Sequence, residues 1–333
     1  MRTDAREKRE KQRPRRKRRA GRGRLAALLL CLLLALALPL YMYVRANTIH
    51  IRRTTAYLQD LPDAFDGTTI LYMSDFDLHG TNTPAKALAL MRELQALGPD
   101  LLLLGGVYAS YSLTEALRAK NGEAEAARDA LNERRARFLT GLDGFAAPLG
   151  KYAVAGAADA DMEALEAALR QGGVTPLADA GVVLTRGDSR LALIGLAPGA
   201  GRTRSLDSLA AQTRQADCVI VLAHDPGSMA GIQTSEAADG GVWADLVLSG
   251  GTHGGQVRLG KWTALRLGEF QRRYLSGWFR LGGTVLLTSC GVGCEGINLR
   301  LGTVGEAHLI TLKRGVPMDE DFHPLNTDAP WRR

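Results

Sequence analysis

Cysteine is scarce, with four in 333 residues, so no dense disulfide framework holds this chain together. Cys31 lies inside an apolar run, Cys218 lies in CVIVLAH, and Cys290 and Cys294 flank the glycine loop CGVGC. That last pair is compatible with a disulfide or with two free thiols, and its CxxxC spacing is not read as a metal site. Positive charge is scarce everywhere except at one end. The formal charge is +7, yet residues 1–24 hold 13 Lys or Arg against three acids. Subtracting them leaves 29 bases and 32 acids, a net of −3, for everything that follows. A basic nucleic-acid-binding body is thereby excluded. There is no internal repeat, and the 38 glycines fall mostly in turns and strand ends rather than in low-complexity tracts. The hydrophobic content of 46% is that of an ordinary packed core.

The second scarcity is of charge between Leu25 and Val44. LAALLLCLLLALALPLYMYV is twenty uncharged residues long and directly follows the basic tail KREKQRPRRKRRAGRGR. About 20 apolar residues at 1.5 Å rise cross a bilayer core, and flanking Lys and Arg stay on the cytoplasmic side. The expectation is a single-pass anchor at the cell membrane (25–44), with a basic cytoplasmic tail (1–24) and the main domain outside the cytoplasm. A cleaved signal peptide is the alternative, since Val44-Arg45-Ala46 loosely resembles a cleavage site, although such segments usually carry only roughly 7 to 15 apolar residues. A lipoprotein is disfavoured because Cys31 sits within the apolar run. A nuclear-localisation role for the basic run is weak beside a spanning segment.

Beyond a connector at 45–66, apolar strands alternate with helical segments. The strands read TILYMSD (69–75), DLLLLGG (100–106), YAVAGA (152–157), CVIVLAH (218–224) and DLVLSGG (245–251). Runs this continuously apolar suit strands buried on both faces. Helices are expected at 84–97, around 123–142, at 161–171 and at 205–215, so the fold class is α/β. The C-terminal half adds VVLTRGDSRLALIGL, a hairpin turning at Gly187-Asp188, then WTALRLG, TVLLTS and HLITLKR, which implies a second sheet layer. Residues 314–333 have no period and read as a tail.

In open α/β sheets, ligands gather just beyond the carboxyl ends of strands. Here those ends are Asp75-Phe76-Asp77, Gly105-Gly106-Val107, Gly156-Ala157-Ala158-Asp159, His224-Asp225 and Gly250-Gly251-Thr252-His253. In order and spacing these loops resemble the calcineurin-like metallophosphoesterases, in particular their membrane-anchored bacterial branch. SDFD resembles the family's Ser-Asp-x-His, PDLLLLGGVY its Pro-Asp-x-x-x-x-Thr-Gly-Asp-Tyr, and GKYAVAGAAD its Gly-x-Tyr-Ala-Val-x-Gly-Asn-His-Asp. LAHDP matches the single-histidine loop, and LSGGTHGGQV resembles Leu-Ser-Gly-His-Thr-His-Gly-Gly-Gln. The resemblance covers roughly residues 67–313 and implies a calcineurin-like phosphoesterase sandwich: two β-sheet layers flanked by helices, preceded here by one transmembrane helix. For the family it implies two bridged divalent metals that activate water against a phosphoester.

The departures decide what this chain inherits. Val107 stands where the family has its bridging aspartate, Ala157 and Ala158 replace the asparagine and histidine, and Gly251 replaces the first histidine of the Gly-His-Thr-His loop. Asp77 replaces the histidine of the first motif, so only Asp75, His224 and His253 stand as in the family. Two ions roughly 3.5 to 4 Å apart need a shared anionic ligand, and valine is not one. The second metal would retain His224 alone and is expected to be absent. The first could keep Asp75, Asp77 and His253 and hold Zn²⁺ or Mn²⁺, or no metal at all. For each survivor a bland role stands beside the functional one: Asp75 and Asp77 as caps of the helix near Pro84 or as partners of loop amides, His224 and His253 as loop histidines bonded to backbone. His79 would share a face with Asp75 and Asp77 only if the segment were extended. His50, His308 and His323 are given no role.

Two functions follow. One is a membrane-anchored module with a degenerate hydrolytic centre that binds or scaffolds at the envelope, the glycine amides at Gly106, Gly251 and Gly254 receiving an anionic, phosphate-bearing ligand without a metal. The other is a single-metal phosphohydrolase acting on an envelope phosphoester or pyrophosphate, with His224 as a proton-transfer group. No nucleic acid is expected as a partner, and no signature identifies a protein partner.

Overall fold

A computed structural model describes residues 13–201, 206–237, 240–316 and 329–332. Helix α1 (Arg13–Ala46) is followed by β1 (Thr48–Leu58), β2 (Thr69–Met73), α2 (Pro84–Gln95) and β3 (Leu101–Leu104). Next come α3 (Leu113–Arg118), α4 (Ala124–Thr140), β4 (Lys151–Ala153), α5 (Met162–Gln171) and β5 (Thr175–Pro176). The second half holds β6 (Ala180–Arg186), β7 (Ser189–Gly195), α6 (Asp207–Gln212), β8 (Cys218–Leu222), α7 (Met229–Ile232) and β9 (Leu246–Ser249). The chain then forms β10 (Arg258–Leu259), β11 (Trp262–Thr263), α8 (Glu269–Arg273), β12 (Gly277–Leu281), β13 (Thr284–Thr288), β14 (Gly305–Arg314) and β15 (Ala329–Arg332).

The chain divides into two compact units, Met1–Val44 and Arg45–Arg333. Within α1, Arg24–Ala46 is long and apolar enough to cross a membrane, with a mean hydropathy of 2.6. The start of the basic tail and His323 lie outside the described residues.

The second unit is mixed α/β. One sheet runs in the order β15-β1-β14-β2-β3-β4-β5 and the other β12-β13-β9-β8-β7-β6. In the first, β2, β3, β4 and β5 are parallel. In the second, β7, β8, β9 and β13 are parallel. The expected hairpin is β6–β7, antiparallel with Arg186 opposite Ser189.

Side-chain alternation explains why the strands are apolar on both faces. Along β2, Ile70 and Tyr72 join a core made with Leu101, Leu103, Leu193, Ile220, Leu222 and Leu248, which lies between the sheets. Leu71 and Met73 point the other way, into a layer with Leu90 and Leu94 of α2, Phe138 of α4 and Leu165 and Leu169 of α5. Across the molecule, Ala192, Val219, Val221 and Val247 face an outer layer of Leu209, Met229, Ile232 and Trp243. The period of two thus sends successive residues into two different cores, and the order of layers is helix, sheet, sheet, helix.

Residues 45–66, expected as a connector, contain an eleven-residue strand that pairs along its length with β14. The polar residues of TIHIRRTTAYL hide this strand, and one of them is matched across the ladder, with Arg52 Nε 3.3 Å from Glu306 Oε2. Part of the expected tail also enters the sheet, as β15 pairs with β1. WTALRLG yields only the two-residue β11. The four cysteines are free thiols.

Candidate metal centre

The parallel strands of both sheets end on the same side, so loops 74–79, 105–108, 154–159, 223–225, 250–256 and 289–294 meet there. Backbone bonds lock them together. Asp75 N–H donates to Gly106 O at 2.8 Å, Asp77 N–H to Val107 O at 3.1 Å, and Gly250 N–H to His224 O at 2.9 Å. Val292 N–H reaches Ser74 O at 2.9 Å and Gly293 N–H reaches Asp75 O at 2.6 Å. Glycine is required where these strands of loop touch: a Cβ on Gly291 would lie 2.6 Å from Asp75 Cβ, and one on Gly293 would overlap Phe76 O.

Asp75, Asp77 and His253 converge, each offering one ligand atom within 4.8 Å of the other two. Three atoms no farther apart than 4.8 Å share a point within about 2.8 Å of each (4.8/√3), close to metal–ligand lengths of roughly 2.0–2.2 Å. His253 Nε2 lies 3.6 Å from Asp77 Oδ2 and 4.0 Å from Asp75 Oδ1. Tetrahedral ligands at that bond length stand about 3.3–3.6 Å apart, so the His253–Asp77 spacing fits and the His253–Asp75 spacing is slightly long. All three residues are buried, with 0, 1 and 4% of their surface exposed.

The bonding around the carboxylates leaves a gap aimed at that point. Asp75 Oδ2 accepts from Ser74 Oγ–H at 2.8 Å and from Gly251 N–H at 3.0 Å. Asp75 Oδ1 and Asp77 Oδ2, the two oxygens nearest His253, have no hydrogen-bond partner although they are buried. Buried polar atoms are rarely left unpaired, and two orphaned carboxylate oxygens beside an imidazole nitrogen are what a cation would satisfy. Burial, then the charge of Asp75, holds the Asp77 carboxyl well above the usual carboxylate range. Burial also lowers His253 to about 4, with Arg300 and His224 adding to the shift against the pull of Asp75. A neutral imidazole is the form that ligates metal. Three of the backbone sites are strained: Asp75, Asp77 and His253 all have positive φ, at 52, 44 and 50°. Such residues collect at functional loops and cost of order 1–3 kcal/mol each.

The chain matches no family model and no curated protein.

His224 stands beside this cluster rather than in it. Its Nδ1 is 3.8 Å from Asp75 Oδ1, but that nitrogen is 2.9 Å from Gly105 O. A carbonyl only accepts, so Nδ1 carries the proton and Nε2 is the basic atom. A Cβ on Gly251 would lie 3.0 Å from that Nε2. Val107 is buried with φ 43°, a left-handed conformation that β-branched residues avoid. Its N–H is held by Asp159 Oδ2 at 2.8 Å, and the same carboxylate accepts from Gly156 N–H at 2.9 Å and Tyr108 N–H at 3.1 Å. A Cβ on Gly156 would overlap the Val107 methyl Cγ2. The space beside His224 is thus filled by valine and glycine backbone. Ala157 and Ala158 are exposed methyls and offer no ligand atom.

Several sequence expectations meet different surroundings. The helix at Pro84 is capped by Thr83, whose Oγ1 accepts from Lys86 N–H at 3.4 Å, and not by Asp75 or Asp77. His79 Nε2–H donates to Cys294 O at 2.7 Å and is engaged away from the carboxylates. The Gly251 amide is taken by Asp75, and the Gly254 amide is given to Thr252 Oγ1 at 3.2 Å. A Cβ on Gly106 would overlap Gly156 N, so backbone already occupies that side of Gly106. The amides of Gly251 and Gly254 are thus engaged within the loops.

Arg300 was not anticipated. It is fully buried, and its guanidinium donates to His253 O at 3.1 Å, Cys290 O at 2.7 Å, Gly291 O at 3.2 Å, Gly293 O at 2.5 Å and Val304 O at 3.2 Å. It ties the His253 loop to the 290–293 loop that walls Asp75. A cavity of about 700 Å³, lined by residues that include Asp60, Asp188, Arg214 and Asp245, contains none of the three cluster residues.

Proposed function

We propose that the chain is a membrane-anchored, metallophosphoesterase-like binding or scaffolding module of the cell envelope, with one divalent cation held by Asp75, Asp77 and His253 and the second metal position lost. The basic tail would be cytoplasmic and the Arg45–Arg333 unit outside. The supporting observation is the pairing of Asp75 Oδ1 and Asp77 Oδ2, buried without partners, with His253 Nε2 at 4.0 and 3.6 Å respectively. The donor set of two carboxylates and one imidazole suits Zn²⁺ or Mn²⁺. A bound ion would supply positive charge to the two carboxylates. These residues supply the rest: Ser74 and the Gly251 amide orient Asp75, and Arg300 fixes the loop that carries His253.

One feature favours binding over turnover. A two-ion centre needs a shared anionic ligand, and the buried Val107 side chain stands in its place. The alternative, a single-metal phosphohydrolase, draws on one observation: His224 is fixed through Nδ1 and keeps a basic Nε2 for proton transfer. The test is hydrolysis of bis(p-nitrophenyl) phosphate by the full chain in detergent with added Zn²⁺ or Mn²⁺. The binding reading expects no difference between wild type and Asp75→Ala. Hydrolysis abolished by Asp75→Ala would replace it with the enzyme.

A further inference from the structure

A second cavity, of about 300 Å³ and sharing none of the three cluster residues, is lined by Arg45, Arg52, Arg258, Thr54, Trp278, Glu306 and His308 among others. Its volume is at the lower end of the range for small-ligand pockets. The balance of charge in it favours an anion. Glu306 is the one carboxylate in the lining, and it is already engaged: Arg52 Nε is 3.3 Å from Oε2, His308 Nε2 is 3.3 Å from Oε1, and Cys290 N–H donates to Oε1 at 2.7 Å. Arg45 and Arg258 have no carboxylate partner among the described residues. Arg258 donates to a carbonyl, that of Gly302, at 3.2 Å.

The walls also carry polar atoms without partners. Thr54 is 5% exposed and His308 is 3% exposed, and Thr54 Oγ1 and His308 Nδ1 are both buried without a hydrogen-bond partner. Burying such a group unpaired costs about 1–3 kcal/mol, so two of them on residues that line one cavity beside arginines favour a polar ligand there. A carboxylate has two oxygens to share among these donors. A phosphate has more, and arginine forks match its geometry.

Chain connectivity adds a location. Arg45 directly follows Val44, the last residue of the uncharged run, and lies in the last turn of α1. If α1 crosses a membrane, Arg45 is the first charged residue after the apolar run, at the position in the chain where phospholipid phosphates are met.

We propose that this pocket binds a phosphate group, presented by a phospholipid headgroup or by a soluble phosphoester. The lipid source rests on the anchor reading; the phosphate site does not. The experiment is a fluorescence titration of the full chain in neutral detergent, with Trp278→Phe identifying the signal of the pocket tryptophan. The titrants are glycerol 3-phosphate and mixed micelles containing phosphatidylglycerol, with phosphatidylcholine micelles as a lower-charge control. A saturable response to either phosphate, weakened about tenfold or more by Arg258→Gln, is the expected result. Tighter binding of phosphatidylglycerol than of glycerol 3-phosphate assigns the lipid source, and the reverse assigns the soluble one. Thr54→Val, which removes the unpaired hydroxyl and leaves the charges in place, should weaken the same response and covers the case in which Arg258→Gln fails to fold. No saturable response, or one unchanged in both variants, overturns the site. A chain that remains soluble without detergent yet binds glycerol 3-phosphate removes the anchor and keeps the pocket.

Discussion

Replacing Arg300 by methionine should unlock the loops that shape the Asp75–Asp77–His253 cluster. The guanidinium serves five backbone carbonyls, of His253, Cys290, Gly291, Gly293 and Val304. Methionine fills most of the volume and serves none of them. Each buried acceptor left unpaired costs about 1–3 kcal/mol, but the carbonyls partly relax together and the costs do not add. Removing the desolvation of a buried charge also returns some stability. A net loss of about 3–5 kcal/mol is the expected size, at the high end for single substitutions. Arg300→Lys should lose less, about 1–3 kcal/mol, because an ammonium keeps three donors. Urea unfolding followed by tryptophan fluorescence reads this directly. With a slope of about 3 kcal/mol/M for a large domain, the methionine variant should unfold about 1–2 M earlier. A midpoint within about 0.3 M of wild type would refute the claim that Arg300 holds these loops.

Three further outcomes follow from the same geometry. Asp159→Asn should destabilise by about 1–3 kcal/mol in the same urea assay, because one carboxylate receives the amides of Val107, Tyr108 and Gly156 and an amide side chain has one acceptor oxygen. Introducing the pair Val107→Asp/Gly251→His, the residues of the family that the motifs resemble, should not raise the bound cation count above one by elemental analysis, because loop backbone crowds the space beside His224. Glu306 gives a pH signature. Burial would raise its carboxyl, but the charge and hydrogen bond of His308, the Cys290 amide and Arg52 outweigh it and bring it to about 2 from 4.5. A lowered carboxyl stabilises above its unfolded value and loses that contribution as pH falls. The stability gap between wild type and Glu306→Gln should therefore shrink by up to about 3 kcal/mol between pH 4.5 and 2, and a pH-independent gap would contradict the assignment.

What could be read from the sequence depended on how many neighbours a residue needs to declare itself. The five strands that carry the site were legible because each is apolar on both faces, and the strand-end rule then placed Asp75, Asp77 and His253 together. β1 was not legible, since Arg52, Arg53 and His50 break its apolar pattern and its partner β14 lies about 250 residues away. The polar residues are tolerated there because strand neighbours, not sequence neighbours, satisfy them. Arg300 gave no local signal either: it lies in an aperiodic stretch, NLRLGTV, and only the assembled loops reveal that five carbonyls converge on it. Asp159 was visible as the residue that follows Ala157-Ala158 in the motif GKYAVAGAAD, but its three amide partners come from two loops some fifty positions apart. The glycines at 251 and 254 misled in the opposite direction, because glycine-rich loops look alike whether their amides face a ligand or one another.

The most direct test is the divalent-metal content of the full chain, purified in detergent without chelator, beside its Asp75→Ala/His253→Ala variant. About one Zn²⁺ or Mn²⁺ per chain is expected in the wild type and none in the variant, as three ligands permit one ion. No ion in either protein, or an equal amount in both, would contradict a metal centre at Asp75, Asp77 and His253.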